Sequence, residues 1–444
     1  MSHALDRFRR RVPRLQPVPL STLVPSLSVD MALRALLPPK SVSKALVDLY
    51  LGTFEKLHRI LHVPVFLHQF DYFWKAPDTS DLNLTATLIA VLRLGLLLRP
   101  QNGGPSLYGS AEWIYRMETQ SMQLVELFLH FTTHGSRPSL EILQTQCLVV
   151  LCRMTDGSKP YIPWKLVGEL MQTGIFMGLN HDPSLFPNTV SLYDGEMRRR
   201  IWTTILELHN HVSRTSCLPF PANSSQYNTQ RPLNINDMSL IPCSTEMPVE
   251  EHGNNITDTS FQHVLLGSLV LRLQLEATTT EDALGGNPAL GQHCIECQLR
   301  KVLRPANSPF DVRHAVTEPR NIHPLQRVLL EMVAESSFLS AGQFSVPCPT
   351  DHGQELLNDC CRAILKLHQD PELGLASRFV VARWFRCDIV TAIVLLLLSM
   401  RASRTRAREP SIPWNLGMSR IHSEKLLLLI ESLQIRTRRL QLCS

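Results

Sequence analysis

Apolar residues recur at three- and four-residue steps along most of this chain, and alternating apolar–polar runs are scarce. That spacing is the pattern of amphipathic helices, and it leaves little material for a half-buried sheet. Ser41 or Ser43 is placed to N-cap a helix carrying Leu46, Leu49, Tyr50, Phe54 and Leu57, and Pro64 is expected to end that stretch. Further helices are expected over residues 82–98, 112–131, 139–156, 163–178, 194–216, 261–276, 324–341, 355–368, 375–400 and 419–442. Glycine supports this reading. Its 20 residues in 444 fall below the average of about 7%, which argues against Gly-turn-rich barrels and Gly-loop nucleotide folds. No repeat of fixed period is present, so a solenoid is disfavoured. The expected fold class is all-α, a multi-helix body with long irregular loops.

The punctuation suggests three parts. Residues 1–40 are basic and Pro-containing and read as an arm. Residues 41–245 form a helical core, and residues 246–444 continue it with a flexible insert over 279–322. Within this, residues 217–258 carry Pro219, Pro221, Pro232, Pro242 and Pro248 and read as a long irregular connection.

Charge and motifs exclude several functions. A net charge of +5 is mild for a chain carrying a dense basic DNA reader. The longest apolar run, Ile389 to Leu398, is broken by Thr391. It falls short of the roughly 18 residues a membrane span needs and reads as a buried helix. The N-terminus lacks the apolar region of a secretory signal. The 11 scattered cysteines then read as reduced thiols of a cytosolic or nuclear protein. Cys294 and Cys297 form one Cys-x2-Cys pair without a good second pair, and Cys360-Cys361 places its sulfurs side by side, so no structural zinc site is expected. GxGxxG, Walker, GxSxG and HExxH patterns are missing. No Asp-Asp pair is present to hold magnesium against a diphosphate. His209 and His211 lie about 200° apart around one helix, which suits a shared metal badly. No catalytic, cofactor-binding or metal residue is assigned, and no cofactor is expected.

Arg198, Arg199 and Arg200 leave one helix at steps of about 100°. At least one is expected to face inward, where it needs an acid. Glu196, Glu207, Asp182 and Asp237 are the candidates, and Trp202 lies one turn from Arg198, within stacking reach. We read Asp182, Glu196, Arg198, Arg199, Arg200, Trp202, Asn236 and Asp237 as a buried structural network rather than a catalytic set. Gly178 reads as a helix C-cap, and Asn236 and Asp237 as turn caps. Arg9, Arg10 and Arg11 form a basic cluster that reads as a nuclear-import signal. Arg401 to Arg408 and Arg436 to Arg439 read as solvated helix ends.

Two segments carry a resemblance. The first runs from Tyr50 to Phe66, YLGTFEKLHRILHVPVF. The second comprises Met177-Gly-Leu-Asn-His-Asp-Pro183, Glu196-Met-Arg-Arg-Arg-Ile-Trp202, Pro219 and Asn234-Ile-Asn-Asp237. In this order they resemble the fungal-specific transcription factor domain, the middle homology region that follows zinc clusters in fungal regulators. The family commonly has Asp where His209 stands and Gly where Cys217 stands. The resemblance implies a nuclear regulator of a fungal secondary-metabolite gene cluster, including mycotoxin clusters. The sequence shows no Cys-x2-Cys-x6-Cys zinc cluster, and its first cysteine is Cys147. The expected partners are a DNA-binding transcription factor or a second copy, with Leu426 to Ile430, Leu433 and Leu440 as interface candidates. DNA contact is then indirect or weak, with a small-molecule effector as a further partner and no membrane. Two alternatives stay open: a helical pathway enzyme or metabolite-binding protein, and a truncated zinc-cluster regulator.

Overall fold

The computed structural model describes residues 29–75, 81–100, 108–135, 138–156, 163–186, 189–251 apart from 217, 219 and 221–225, 256–282, 298–299, 302, 323–344 and 351–406. The Arg9–Arg11 cluster, most of the 279–322 insert, Cys294, Cys297, Arg408, the Arg436–Arg439 cluster and the helix expected over 419–442 lie outside them. Among the described residues every regular element is helical.

The helices in chain order are α1 Val29–Arg34, α2 Lys40–Leu51, α3 Glu55–His58, α4 Val63–Phe73, α5 Leu82–Leu97, α6 Ala111–Gly135 and α7 Leu140–Thr155. They continue with α8 Trp164–Phe176, α9 Leu192–Thr215, α10 Ser260–Asp282, α11 Pro324–Phe344, α12 Asp351–His368, α13 Leu375–Trp384 and α14 Arg386–Arg406. Within the basic N-terminal stretch, α1 is ordered and buries Leu33.

Helix α5 is apolar nearly all round, and twelve of its residues are buried. A helix with no polar face needs neighbours on every side, and α2, α6 and α7 supply them. The closest approach is at Gly95, where an added Cβ would lie 2.2 Å from the Leu46 carbonyl oxygen of α2. Helix α9 packs on α7, α8 and α10, and α10 passes the core on to α11. Helices α11, α12 and α14 close the far end.

Several boundaries differ from the periodicity reading, each for a local reason. Pro39, not Ser41 or Ser43, precedes α2. The first stretch ends at Gly52, and Pro64 opens α4 instead of closing a helix. A proline fits the first turn because its missing N–H would have had no intrahelical partner. The segment expected as one helix over 375–400 breaks at the buried Phe385 into α13 and α14. Ser139 caps α7 as expected, its side chain accepting from the Ile142 amide. Gly178, at φ 74°, ends α8 in a Schellman turn. Its amide donates to Ile175 O and the Leu179 amide to Gly174 O, both at 2.9 Å.

The Gly95 contact is backbone against backbone and has no flexible atom to yield. Gly95→Ala should therefore destabilise the fold by about 1–3 kcal/mol, read as a lower urea midpoint. An unchanged midpoint would mean that α2 and α5 do not approach this closely.

Candidate functional site

The polar centre of the molecule is built where the N-terminal half of α9 meets α3, α4 and the irregular chain before α10. Arg200 is fully buried. Its Nε donates to Glu196 one turn earlier at 3.0 Å, and its Nη1 donates to Asp237 at 2.7 Å. Asp237 opens a single 3-10 turn, Asp237–Ser239. It also pairs with the buried Arg59 and accepts from the Val63 amide at 2.9 Å. His62 Nε2 donates to the Asp237 carbonyl at 2.9 Å. Asn236 and Asp258 clasp the same turn: Asp237 N donates to the Asp258 carboxylate at 2.9 Å, and Asp258 N to Asn236 Oδ1 at 3.1 Å.

A second pair lies one residue away on α9. Arg199 grips Asp182 with two parallel bonds, Nε to Oδ2 at 2.9 Å and Nη2 to Oδ1 at 2.7 Å. This fork geometry is the strong form of an arginine–carboxylate pair. The same carboxylate accepts from the amides of Ser184 at 3.0 Å and Gln230 at 2.9 Å. The other Glu196 oxygen accepts from the Leu233 amide at 3.2 Å. Side-chain oxygens thus take the place of strand partners for the irregular segment, since Thr259 Oγ1 also accepts from the Ile235 amide at 2.9 Å. A buried amide must find some acceptor, and here the acids supply it.

The charges explain the acidities. Four buried acids, Glu55, Asp182, Glu196 and Asp237, face three buried arginines, Arg59, Arg199 and Arg200. Burial would raise the Asp237 carboxyl, but Arg59, Arg200 and the Val63 amide outweigh it and hold it at about 2. Asp182 is likewise held well below the ordinary carboxylate range, with the Arg199, Ser184 and Gln230 hydrogen bonds outweighing burial. Glu196 is raised by burial despite Arg200. Glu55 is the surplus acid. Burial pushes it to about 8 although Arg59, the Tyr50 hydroxyl and the Leu61 amide favour the anion.

Arg198, the third arginine, points elsewhere. It donates to the Met177 carbonyl at the end of α8, and Trp202 packs edge-on against Tyr227. Glu207 serves a different arginine, Arg272 of α10. His209 and His211 separate as their spacing requires. His209 packs edge-on against Phe220. His211 lies 4.8 Å from the Trp384 ring, which His58 meets at 5.1 Å. Burial holds His58 at about 3 and His211 well below the usual imidazole range. No group of three or more metal-ligating side chains occurs among the described residues.

Sequence reasoning passed over Arg59, Glu55 and His62. Arg59 is the lone Arg, Lys, Asp or Glu between Lys56 and Asp71, which is the signal that marks it. It also sits at φ 45°, ψ 46° and ends α3. That left-handed conformation costs a non-glycine residue about 1–3 kcal/mol, and the ion pair with Asp237 holds it.

Comparison with known proteins places this geometry in context. The chain is 32% identical over 240 residues to the transcription factor opdR of Penicillium oxalicum, covering 54% of this chain and 29% of that protein. The chain is similar to fungal transcription factors. It is 29% identical over 244 residues to the transcription factor lepE of Aspergillus flavus, covering 55% and 28%. It is 28% identical over 235 residues to the Fusarisetin A cluster transcription factor fsa6 of a Fusarium species, covering 51% and 31%. The chain spans about three tenths of the length of these curated relatives. No family model matches it, and no solved structure matches it. The resemblance carried by motif order is therefore matched by similarity over more than half of the chain.

Two outcomes follow. Asp237→Asn removes the acid shared by two buried arginines and should cost about 3–5 kcal/mol in urea unfolding at pH 7. A cost under about 1 kcal/mol would mean that solvent reaches the network. Glu55, whose folded pKa lies above its unfolded value, contributes stability that is complete below about pH 4.5 and is lost as pH rises through about 8. Glu55→Gln should flatten the fall in stability between pH 5 and 8 by up to about 1.4 kcal/mol per pH unit. Parallel curves for the two proteins would contradict this.

Proposed function

We propose that the chain is the regulatory body of a transcriptional regulator of a fungal secondary-metabolite gene cluster. The observation that carries this reading is its similarity to transcription factors, among them the Fusarisetin A cluster factor fsa6 and the Equisetin cluster factor eqxF. The chemistry of the polar centre supports a regulator over an enzyme. Arg59, Arg199 and Arg200 are matched to internal acids and to backbone amides through them, so their charge goes into holding the fold. On this reading Asp182, Glu196, Arg198, Arg199, Arg200, Trp202, Asn236 and Asp237 are positioning residues of a scaffold.

The 444 residues contain no Cys-x2-Cys-x6-Cys spacing. On this proposal DNA is read by a module outside these 444 residues, in the same polypeptide, in a second copy or in a partner transcription factor, with action in the nucleus. No helix of the described residues is long and apolar enough to cross a membrane. Trp164 and Phe176 of α8, with Leu185 and Phe186 just beyond it, expose large apolar side chains.

Gel-shift titration of the purified chain on promoter DNA from its gene neighbourhood should give only non-specific affinity, on the order of 10⁻⁴–10⁻⁶ M. Deleting the gene should change transcript levels of neighbouring biosynthetic genes. Tight sequence-specific binding by the chain alone would overturn the assignment of DNA reading outside these residues. Unchanged transcripts with one blocked chemical step would overturn the regulator.

A further inference from the structure

Beside the ionic network lies a cavity of about 220 Å³ between α8, α9 and the chain at Gln226–Tyr227. Its walls are made mostly of apolar and ring atoms, with Met171, Ile175, Trp202 and Tyr227 contributing. None of the described residues that line it is Asp, Glu, Lys or Arg. The lining histidine, His209, has its pKa lowered by burial and is neutral at pH 7.

Gly168 adds an independent observation. It lies inside α8, where glycine costs about 1 kcal/mol relative to alanine. Packing does not require it, because an added Cβ would meet no atom within 4 Å. Gly174, by contrast, sits where a Cβ would come 3.1 Å from Ile205 and 3.4 Å from Trp202. The missing side chain at Gly168 therefore keeps the cavity open. Exposed Gln172 and Ile175 place its mouth on the outer side of α8. A cavity of about 150 Å³ already takes benzene when its lining is apolar, so this one suits one or two fused rings.

We infer that this cavity binds a small, flat, uncharged ring compound. As the effector site of the regulator it rests on the reading proposed above. The binding itself does not, and it is tested on the purified full chain without reference to transcription.

Coumarin is the probe, a neutral fused-ring carbonyl compound. Calorimetric titration should give saturable binding with a dissociation constant on the order of 100 µM. Coumarin-3-carboxylate should bind at least tenfold more weakly, because none of the described lining residues is a cation. Gly168→Leu fills the opening and raises helix propensity. It should abolish coumarin binding while its melting temperature equals or exceeds that of the unchanged protein. Absence of saturable coumarin binding to the unchanged chain overturns the site, as does equal affinity in Gly168→Leu. Equal affinity for the carboxylate overturns the uncharged class. A failed titration leaves the transcript experiment, and the regulator reading, standing on its own evidence.

Discussion

Arg200 has no access to water, and its guanidinium is paired through Nε with Glu196 on its own helix and through Nη1 with Asp237 from the irregular chain beyond it. A buried cation left unpaired costs several kcal/mol, so the position of Asp237 is dictated once Arg200 faces inward. Asp237 in turn fixes the turn after α3 through Arg59 and the Val63 amide, and the start of α10 through Asp258. Three segments, at Arg59–Val63, Arg200 and Asp258, thus converge on Asp237, the first two on its carboxylate and the third on its amide. Arg199 and Asp182 repeat the device one residue along, tying the end of α8 to residues 228–230.

Such a network is not the most stabilising way to fill a core. Apolar replacements of similar volume often match or exceed buried ion pairs, whereas deletion of one member is costly. What the charges do here is meet the backbone. The segment from Gln226 to Asp258 has few regular hydrogen bonds, and its amides need acceptors that an apolar core would not contain. Carboxylates with several lone pairs accept from arginine and amide together. The surplus acid, Glu55, follows from the same crowding and makes the network sensitive to rising pH.

Much of this was legible in the sequence, and the reasons are physical. Helices with clearer periodicity, such as α6 and α9, report their packing through local spacing. The arginine triplet Arg198–Arg200 announced that a cation must turn inward, and the acids it meets, Asp182, Glu196 and Asp237, were all among the candidates. Helix ends were less legible. Pro64 can close one helix or open the next, and only the packing of Phe66, Phe70 and Phe73 decides between them. The break at Phe385 depends on His211 and Trp384, which no local pattern couples. Arg59 was missed because its partner lies far away in the chain, and one arginine among apolar residues looks like a surface residue until the turn around it is known. The cavity beside Trp202 had no sequence mark except Gly168, a glycine inside a helix.

The central claim is that side-chain carboxylates hold an irregular segment as firmly as helices hold each other. Native-state hydrogen exchange at the amides of Gln230, Leu233, Ile235 and Asp237 tests it most directly, since each donates to a side-chain oxygen rather than to a helix. The account predicts that these four exchange as slowly as the interior of α9 and open only with global unfolding. Exchange at the rate of an exposed loop, with α9 still protected, would contradict it.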